Sequence, residues 1–396
     1  MKTINDFDFK DKKALVRVDF NVPQSADLKV TDNTRIQAVK PTIDKILNDG
    51  GSVILVTHLG RPKGKFSEEF SLKNIVPEIE SVLNKSISFC PDCMGEDAKN
   101  MTAALKPGEI LLLENVRFYE EEEKGDKEFA KKLASYGDAY VNDAFGTAHR
   151  EHASTAIIAQ FFPSTKFFGL LMAKELEAID KVLKSGEKPV TAILGGSKVS
   201  SKITIIENIL PAVDNIIIGG GMAFTFIKAL GGEIGKSIVE LDKTSLALEI
   251  LEKAKSQNVN IYLPVDVIMA DEFSNDAETK EEDIYDIPEG WMGMDAGRKS
   301  RTLFNDVIMN SRTILWNGPI GVFEMPKFAD GTIALGDSIA EATKLGAFSL
   351  VGGGDSVAFV KQFNYEDKVS YVSTGGGAML ESLEGMELPG VKAINN

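Results

Sequence analysis

The sequence predicts an α/β protein of two domains, each built on a parallel sheet covered by helices. Three observations carry this expectation. Apolar, β-branched runs alternate with amphipathic stretches along the whole chain, the pattern of βαβ units. The 396 residues exceed what a single hydrophobic core usually serves. Glycine clusters at Gly195-Gly196, Gly219-Gly220-Gly221, Gly352-Gly353-Gly354 and Gly375-Gly376-Gly377 each come directly after such a run, where parallel sheets bind their ligands.

In the first half, strands are expected in "KALVRVDF", "SVILVTH", "EILLLENV" and "DAYVNDAF". In the second half they are expected in "VTAILGG", "NIIIGGG", "NIYLPVDV", "TILWNG", "FSLVGGG" and "KVSYVST". Helical spacing of apolar residues marks 36–48, 126–135 and 332–345. The stretch from Leu171 to Pro189 has helical spacing (Leu171, Leu176, Ile179, Leu183) and ends in Ser-Gly before a new strand. It is read as the helix joining two lobes, 1–170 and 189–377, with 171–188 as the connection and 378–396 as a tail. No short repeat and no low-complexity segment interrupts the pattern.

A hydrophobic fraction of 43% and a charged fraction of 26% are those of an ordinary globular protein. The net charge of −15 argues against a broad nucleic-acid or anionic-membrane surface. No apolar run reaches bilayer length, and "MKTINDFDFK" lacks a secretion signal, so a cytoplasmic location is expected. The only cysteines, Cys90 and Cys93, form "CPDC". A zinc site needs further ligands and no second pair exists, so a strand-end turn with two reduced thiols is the preferred reading.

Cationic side chains are distributed unevenly. Five of the eight arginines (Arg17, Arg35, Arg61, Arg117 and Arg150) and all three histidines fall within the first 152 residues. Most sit at strand ends beside turn signals, in "RVDFNVP", "THLGRP", "ENVRFY" and "GTAHREH". One arginine so placed is usually a surface ion pair; four or five together suggest a receptor for carboxylate or phosphate. The first lobe therefore reads as a site for a small, highly anionic ligand. In the second lobe, "LGGSKVSSK" puts Lys198 and Lys202 four residues apart after a glycine pair. If a helix begins near Ser197, both ammonium groups share a face beside its N-terminus and could cradle a triphosphate; two exposed helix lysines are the plainer alternative. The glycine clusters likewise fit either tight packing or backbone anion binding. "GGEIGKS", at 231–237, is one residue short of a Walker A loop and comes after a helix-like segment, so it is read as a turn. No well-placed G-x-G-x-x-G appears.

Nine segments, "RVDFNVP", "THLGRP", "LLENVRFY", "VNDAFGTAHR", "ILGGSKVSSK", "GWMGMDAG", "LWNGPIGVFE", "GGGDS" and "STGGGA", resemble in order the signature segments of the phosphoglycerate kinase family. The resemblance runs from Arg17 to the closing "EGMELPGVKAI". It implies two Rossmann-like lobes joined by a central helix, with a C-terminal tail returning to the first. It also implies reversible transfer of the acyl phosphate of 1,3-bisphosphoglycerate to ADP, giving 3-phosphoglycerate and ATP, with Mg2+ and by a monomer. By motif, the phosphoglycerate side would be Asp19, Phe20, Asn21, Arg35, His58, Leu59, Gly60, Arg61, Arg117 and Arg150. The nucleotide side would be Lys198, Lys202, Gly293, Asn317, Glu324, Gly353, Gly354, Asp355 and Ser356, with Asp355 as the metal ligand. Ser356 stands where threonine is common in the family. Arg35 and Lys202 would be catalytic.

The implied chemistry suits this inventory. The attacking or leaving carboxylate is already ionised at neutral pH, so no general base is needed. Catalysis must come from positioning and from neutralising the charge on the transferring group. Two substrates on two lobes imply lobe closure, with bending near 171–189. A nicotinamide-dependent dehydrogenase is the rival enzyme reading, disfavoured by the missing dinucleotide fingerprint. A two-lobed binding protein without catalysis is the other rival, disfavoured by Arg35, Lys202 and Asp355.

Overall fold

The computed structural model describes Met1–Asn396. The chain forms two compact units, Met1–Leu176 with Glu387–Asn396, and Glu177–Met386.

The first unit is centred on six parallel strands in the order β3-β4-β2-β1-β5-β6. They are β1 (Lys13–Val18), β2 (Ser52–Val56), β3 (Ser88–Cys90), β4 (Ile110–Leu113), β5 (Ala139–Asp143) and β6 (Lys166–Phe168). β1 is buried almost throughout, because both of its edges are paired and helices cover the sheet. The helix Thr34–Asn48 buries Ile36, Val39, Ile43 and Ile46 in the same core as Val16, Val18 and Leu55, and each such side chain contributes about 1.5–3 kcal/mol on burial. Chain order runs outward from β1 in one direction to β3 and then returns to β5 on its other edge. The β1/β5 boundary is thus a topological switch point, the usual place for a ligand crevice.

The second unit repeats this logic with the order β10-β8-β7-β15-β16-β17, again all parallel. Its strands are β7 (Val190–Leu194), β8 (Asn215–Ile218), β9 (Glu233–Ile234), β10 (Asn260–Tyr262), β11 (Asp266–Ala270), β12 (Thr279–Asp283), β13 (Asp286–Ile287), β14 (Met292–Ala296), β15 (Thr313–Asn317), β16 (Phe348–Val351) and β17 (Tyr371–Val372). The switch point is β7/β15. An antiparallel sheet, β12-β11-β14, and a two-strand pair, β13-β9, are added to it.

Several details depart from the sequence reading. "NIYLPVDV" is two strands in two sheets: Pro264, with no N–H to donate, falls in the break between β10 and β11. β3 and β6, three residues each, are too short to stand out in the apolar pattern. The helix Leu170–Leu183 contains the division between the units. The expected tail 378–396 is shorter. The helix Gly376–Leu383 belongs to the second unit, where the Asn208 side-chain amide donates to the Leu383 carbonyl at 2.8 Å. Only 387–396 joins the first unit, with Gly390 N–H donating to Ala148 O at 2.8 Å and Lys166 Nζ to Ala393 O at 2.9 Å.

Candidate functional site

In the first unit the carboxyl ends of β1, β2 and β4 deliver Asp19, His58 and Arg117 to one sheet edge. Arg35, in the first turn of Thr34–Asn48, lies 3.1 Å from Asp19 Oδ2 and donates to the Asn21 carbonyl at 2.9 Å. Asn21 Oδ1 accepts from Gly60 N–H at 2.8 Å, and Arg117 donates to Gly60 O at 3.1 Å. These bonds tie the β1, β2 and β4 loops into one surface. Phe20 and Leu59 are buried beneath it, and Phe20 N–H is anchored on Thr57 Oγ1 at 2.9 Å. Arg61 and Arg150 are exposed.

The charges of this surface show in its histidines. His58 is 2% exposed, and burial together with Arg17, Arg117, Arg35 and His152 holds its pKa well below 6.5. His152 is depressed to about 4, by burial first and then by Arg117, Arg17 and Arg150. Arg17 donates through Nη2 to His58 Nδ1 at 3.2 Å. Arginine cannot accept, so Nδ1 is the acceptor and the ring proton sits on Nε2. A neutral His58 with Nδ1 occupied is poorly suited to act as a base through that atom.

The second unit handles charge through its backbone. The glycine clusters come after β8, β7, β16 and β17, so one sheet edge carries them all. They are not equivalent. A Cβ on Gly195 would meet Pro319 O at 2.0 Å, so that glycine is required by close packing of two loops. Gly196 and Gly354 face open space. Gly353 adopts φ 92°, which turns the chain into the helix Gly354–Gln362. Asp355 is exposed in the first turn of that helix. A cavity of about 450 Å³ in this unit is lined by Gly196, Gly219–Gly221, Gly293, Asp295, Glu324 and Asp355 among others, a volume within the range of small-molecule sites.

The lysine geometry differs from the sequence reading. Residues 198–201 are not helical; the helix is Ile203–Ile209 with Lys202 at its N-cap, so Lys198 and Lys202 share no helix face. Lys198 is exposed. Lys202 is half-buried; desolvation lowers its pKa against the pull of Asp355 and Glu384, and its ammonium donates to Asn317 Oδ1. Asn317, placed on the nucleotide side by the resemblance, is buried and absent from the cavity lining; it bridges Lys202 to Gly352 O, to which its Nδ2 donates at 2.7 Å. Ser356 is fully buried and accepts from Gly318 N–H at 2.6 Å, fastening the loop after β15 to the first turn of the helix Gly354–Gln362.

Sequence reasoning counts Arg17 and His152 among the first unit's cationic residues without giving either a role, and passes over Glu122 and Ser154. The available signal is an arginine inside the apolar run "ALVRV", since a charge there must be paired. It misses Lys236 too: "GGEIGKS", read as a turn, contributes β9 and places Lys236 on the cavity wall. Cys90 and Cys93 are buried free thiols; Cys90 ends β3 and donates to Asp92 O at 2.9 Å.

The first α/β unit thus carries a surface of cationic side chains, and the second a glycine-lined cavity of about 450 Å³. The family model for phosphoglycerate kinase matches residues 4–386. The phosphoglycerate kinase of Porphyromonas gingivalis is 54% identical over 99% of both chains, and that of Chloroherpeton thalassium 51% identical over 100% of this chain and 99% of its own. Among solved structures, phosphoglycerate kinase from Coxiella burnetii superposes with a TM-score of 0.91 at 40% identity, covering 99% of this chain and 98% of its own. The Pyrococcus horikoshii enzyme gives 0.82 at 32%, covering 100% and 98%. The chain belongs to the phosphoglycerate kinase family, and is a phosphotransferase with a carboxyl group as acceptor.

Proposed function

We propose that the chain transfers the acyl phosphate of 1,3-bisphosphoglycerate reversibly to ADP, giving 3-phosphoglycerate and ATP. The observation that carries this reading is a division of labour, an arginine-rich surface on one unit and a glycine-lined cavity on the other, in a member of this family. Asp19 and Asn21 take the hydroxyl and carboxyl end of the phosphoglycerate. Arg35, His58, Arg61, Arg117 and Arg150 hold its phosphate, over the floor formed by Phe20, Leu59 and Gly60. Gly293 walls the adenosine, Glu324 takes the ribose hydroxyls, and the loops at Gly196 and Gly353–Gly354 offer backbone N–H groups to the phosphates. Lys198 and Lys202 add positive charge there.

No group of three or more histidine, cysteine or acidic side chains is arranged to hold a metal. A single exposed carboxylate, Asp355, beside the glycine loop suits a hard cation that keeps several waters and arrives with the substrate phosphates, as Mg2+ does. Mg2+ bound there neutralises phosphate charge. The carboxylate of 3-phosphoglycerate attacks without deprotonation, so the protein positions it and stabilises charge on the phosphoryl group through Arg35 and Lys202. Both bound phosphates must meet in line, which makes approach of the two ligands part of the cycle. The same reading puts the enzyme in the cytoplasm as a single chain, which cell fractionation and sedimentation test.

The decisive assay supplies 3-phosphoglycerate and Mg-ATP and couples product to NADH oxidation through glyceraldehyde-3-phosphate dehydrogenase. Turnover that requires both substrates is expected. Folded protein that binds 3-phosphoglycerate yet gives no NADH oxidation would overturn the reading.

A further inference from the structure

Beneath the first unit's anion surface lies a buried chain of hydrogen bonds that the reaction does not use directly. Glu122, at the end of a short helix (Glu120–Glu123), is fully buried. Its carboxylate accepts from Ser154 N–H at 2.8 Å and from Ser154 Oγ at 2.6 Å. Ser154 Oγ in turn accepts from Arg17 Nε at 2.9 Å. Arg17, itself 0% exposed, donates to His58 Nδ1 at 3.2 Å. His58 Nδ1 lies 3.9 Å from Asp19 Oδ1, and Asp19 Oδ2 pairs with Arg35 at 3.1 Å. The donor and acceptor roles are fixed along the first half of this chain. Arg17 only donates, so Ser154 Oγ accepts from it and gives its own proton to Glu122, while His58 must accept at Nδ1. Reversing any one link would leave a buried donor facing a donor.

We propose that Glu122 and Ser154 are positioning residues of the phosphoglycerate site, acting through Arg17 to lock His58 as its Nε2–H tautomer, so that His58 meets the anionic ligand as a hydrogen-bond donor. The deduction rests on the functional reading of this site as the phosphoglycerate receptor. A buried guanidinium without a counter-charge would be costly, and Glu122 is the buried carboxylate its hydrogen-bond chain reaches. Burial raises the Glu122 pKa, while Arg17, Ser154 and Arg117 pull it back. The charged or titratable groups acting on His58 are Arg17 on β1, Arg117 after β4, Arg35 on the helix Thr34–Asn48, His152, and Asp19 after β1. The net field on the ring is positive. A neutral donor tautomer binds an anion there; an Nδ1–H tautomer would turn a lone pair towards it.

The test uses the full chain labelled with ¹⁵N-histidine. Long-range ¹H–¹⁵N spectra report the tautomer of His58, assigned by the loss of its signals in His58→Gln. In the wild type, His58 should be neutral with its proton on Nε2 from pH 8 down to pH 5.5. In Ser154→Ala, its two nitrogen shifts should move towards a tautomeric average. The KM for 3-phosphoglycerate should rise about tenfold while kcat stays within about twofold. Glu122→Gln should act in the same direction, and Ser154→Thr, which restores the hydroxyl, should recover part of the affinity. An Nδ1–H tautomer in the wild type, or a half-protonated ring near pH 6.5, would overturn the proposal even if no variant folded. So would an unchanged tautomer in Ser154→Ala with less than a twofold change in KM. Wild-type protein with no turnover at all would instead indict the functional reading, which separates the two failures.

Discussion

The two units solve the same problem, holding a polyanion, with different materials. The first uses side chains: arginines and a neutral histidine set on strand ends and braced by Asp19, Asn21 and a buried Glu122. The second uses backbone: glycine loops along one sheet edge, with one half-buried lysine and one exposed aspartate among them. Side-chain forks read a small ligand with fixed, directional contacts. Backbone donors at helix starts tolerate a longer phosphate chain and leave room for a cation. The difference teaches that a pronounced positive field is needed only where no cation comes with the ligand.

The largest effect that would sharpen this contrast is expected at Asp355. Asp355→Ala should lower kcat by roughly two to three decades, the scale of losing one charge-stabilising element, while 3-phosphoglycerate affinity measured by calorimetry changes little. Raising magnesium should restore part of the turnover. Equal damage to 3-phosphoglycerate binding would break the contrast, because it would put Asp355 on the wrong ligand.

A smaller effect is expected at His58. Since its Nδ1 is occupied and the ring is neutral, His58→Gln, which keeps a hydrogen-bonding side chain, should raise KM for 3-phosphoglycerate and keep kcat within about tenfold, well short of the loss from a missing general base. A kcat loss of about three decades at saturating substrate would show that proton transfer matters after all.

The smallest contrast concerns stability, because each unit buries one aspartate with a raised pKa. Asp143, fully buried at the end of β5, accepts from Met172 N–H at 3.0 Å; Asp295 accepts from Gly331 N–H at 2.7 Å. Burial pushes both up from 3.8 to about 7. The folded chain therefore holds more protons than the unfolded chain between those values. Their contribution is present in full below pH 3.8 and is lost as pH rises through 7. Asp143→Asn should flatten the first unit's share of the fall between pH 5 and pH 8 by a few kcal/mol, an order-of-magnitude figure. Urea unfolding at both pH values checks it; an unchanged slope would mean that Asp143 is ionised in the native protein.

Much of this is legible from residue order alone, for a physical reason. Parallel strands buried on both faces are long apolar runs, and the residues just past each run are displayed at one sheet edge. Asp19, His58, Arg117 and the glycine loops can therefore be placed from their position directly after a run. The features that escape depend on distance through space. Glu122 and Ser154 look like surface residues of an acidic run and a loop until the fold sets them against Arg17. The helix after β7 starts several residues later than its sequence suggests because Val199–Lys202 closes a turn, with Lys202 N–H donating to Val199 O at 2.8 Å, before the helix begins. Nothing in "LWNGP" tells whether the Asn317 amide faces the cavity or Lys202, to which it is bonded.

Charge stabilisation without a base is the central claim, and Arg35 tests it most directly. It sits in the first turn of a helix, where a cation opposes the dipole, and it is held in place by Asp19 and the Asn21 carbonyl. A residue kept there for stability alone would be an odd choice. Steady-state kinetics on folded Arg35→Ala should show kcat lower by roughly two to four decades, a smaller change in KM, and an almost unchanged melting temperature. Arg35→Lys should recover only part of the loss, because a point charge does not reproduce the guanidinium fork. A near-normal kcat, or a loss that tracks unfolding, would contradict the account.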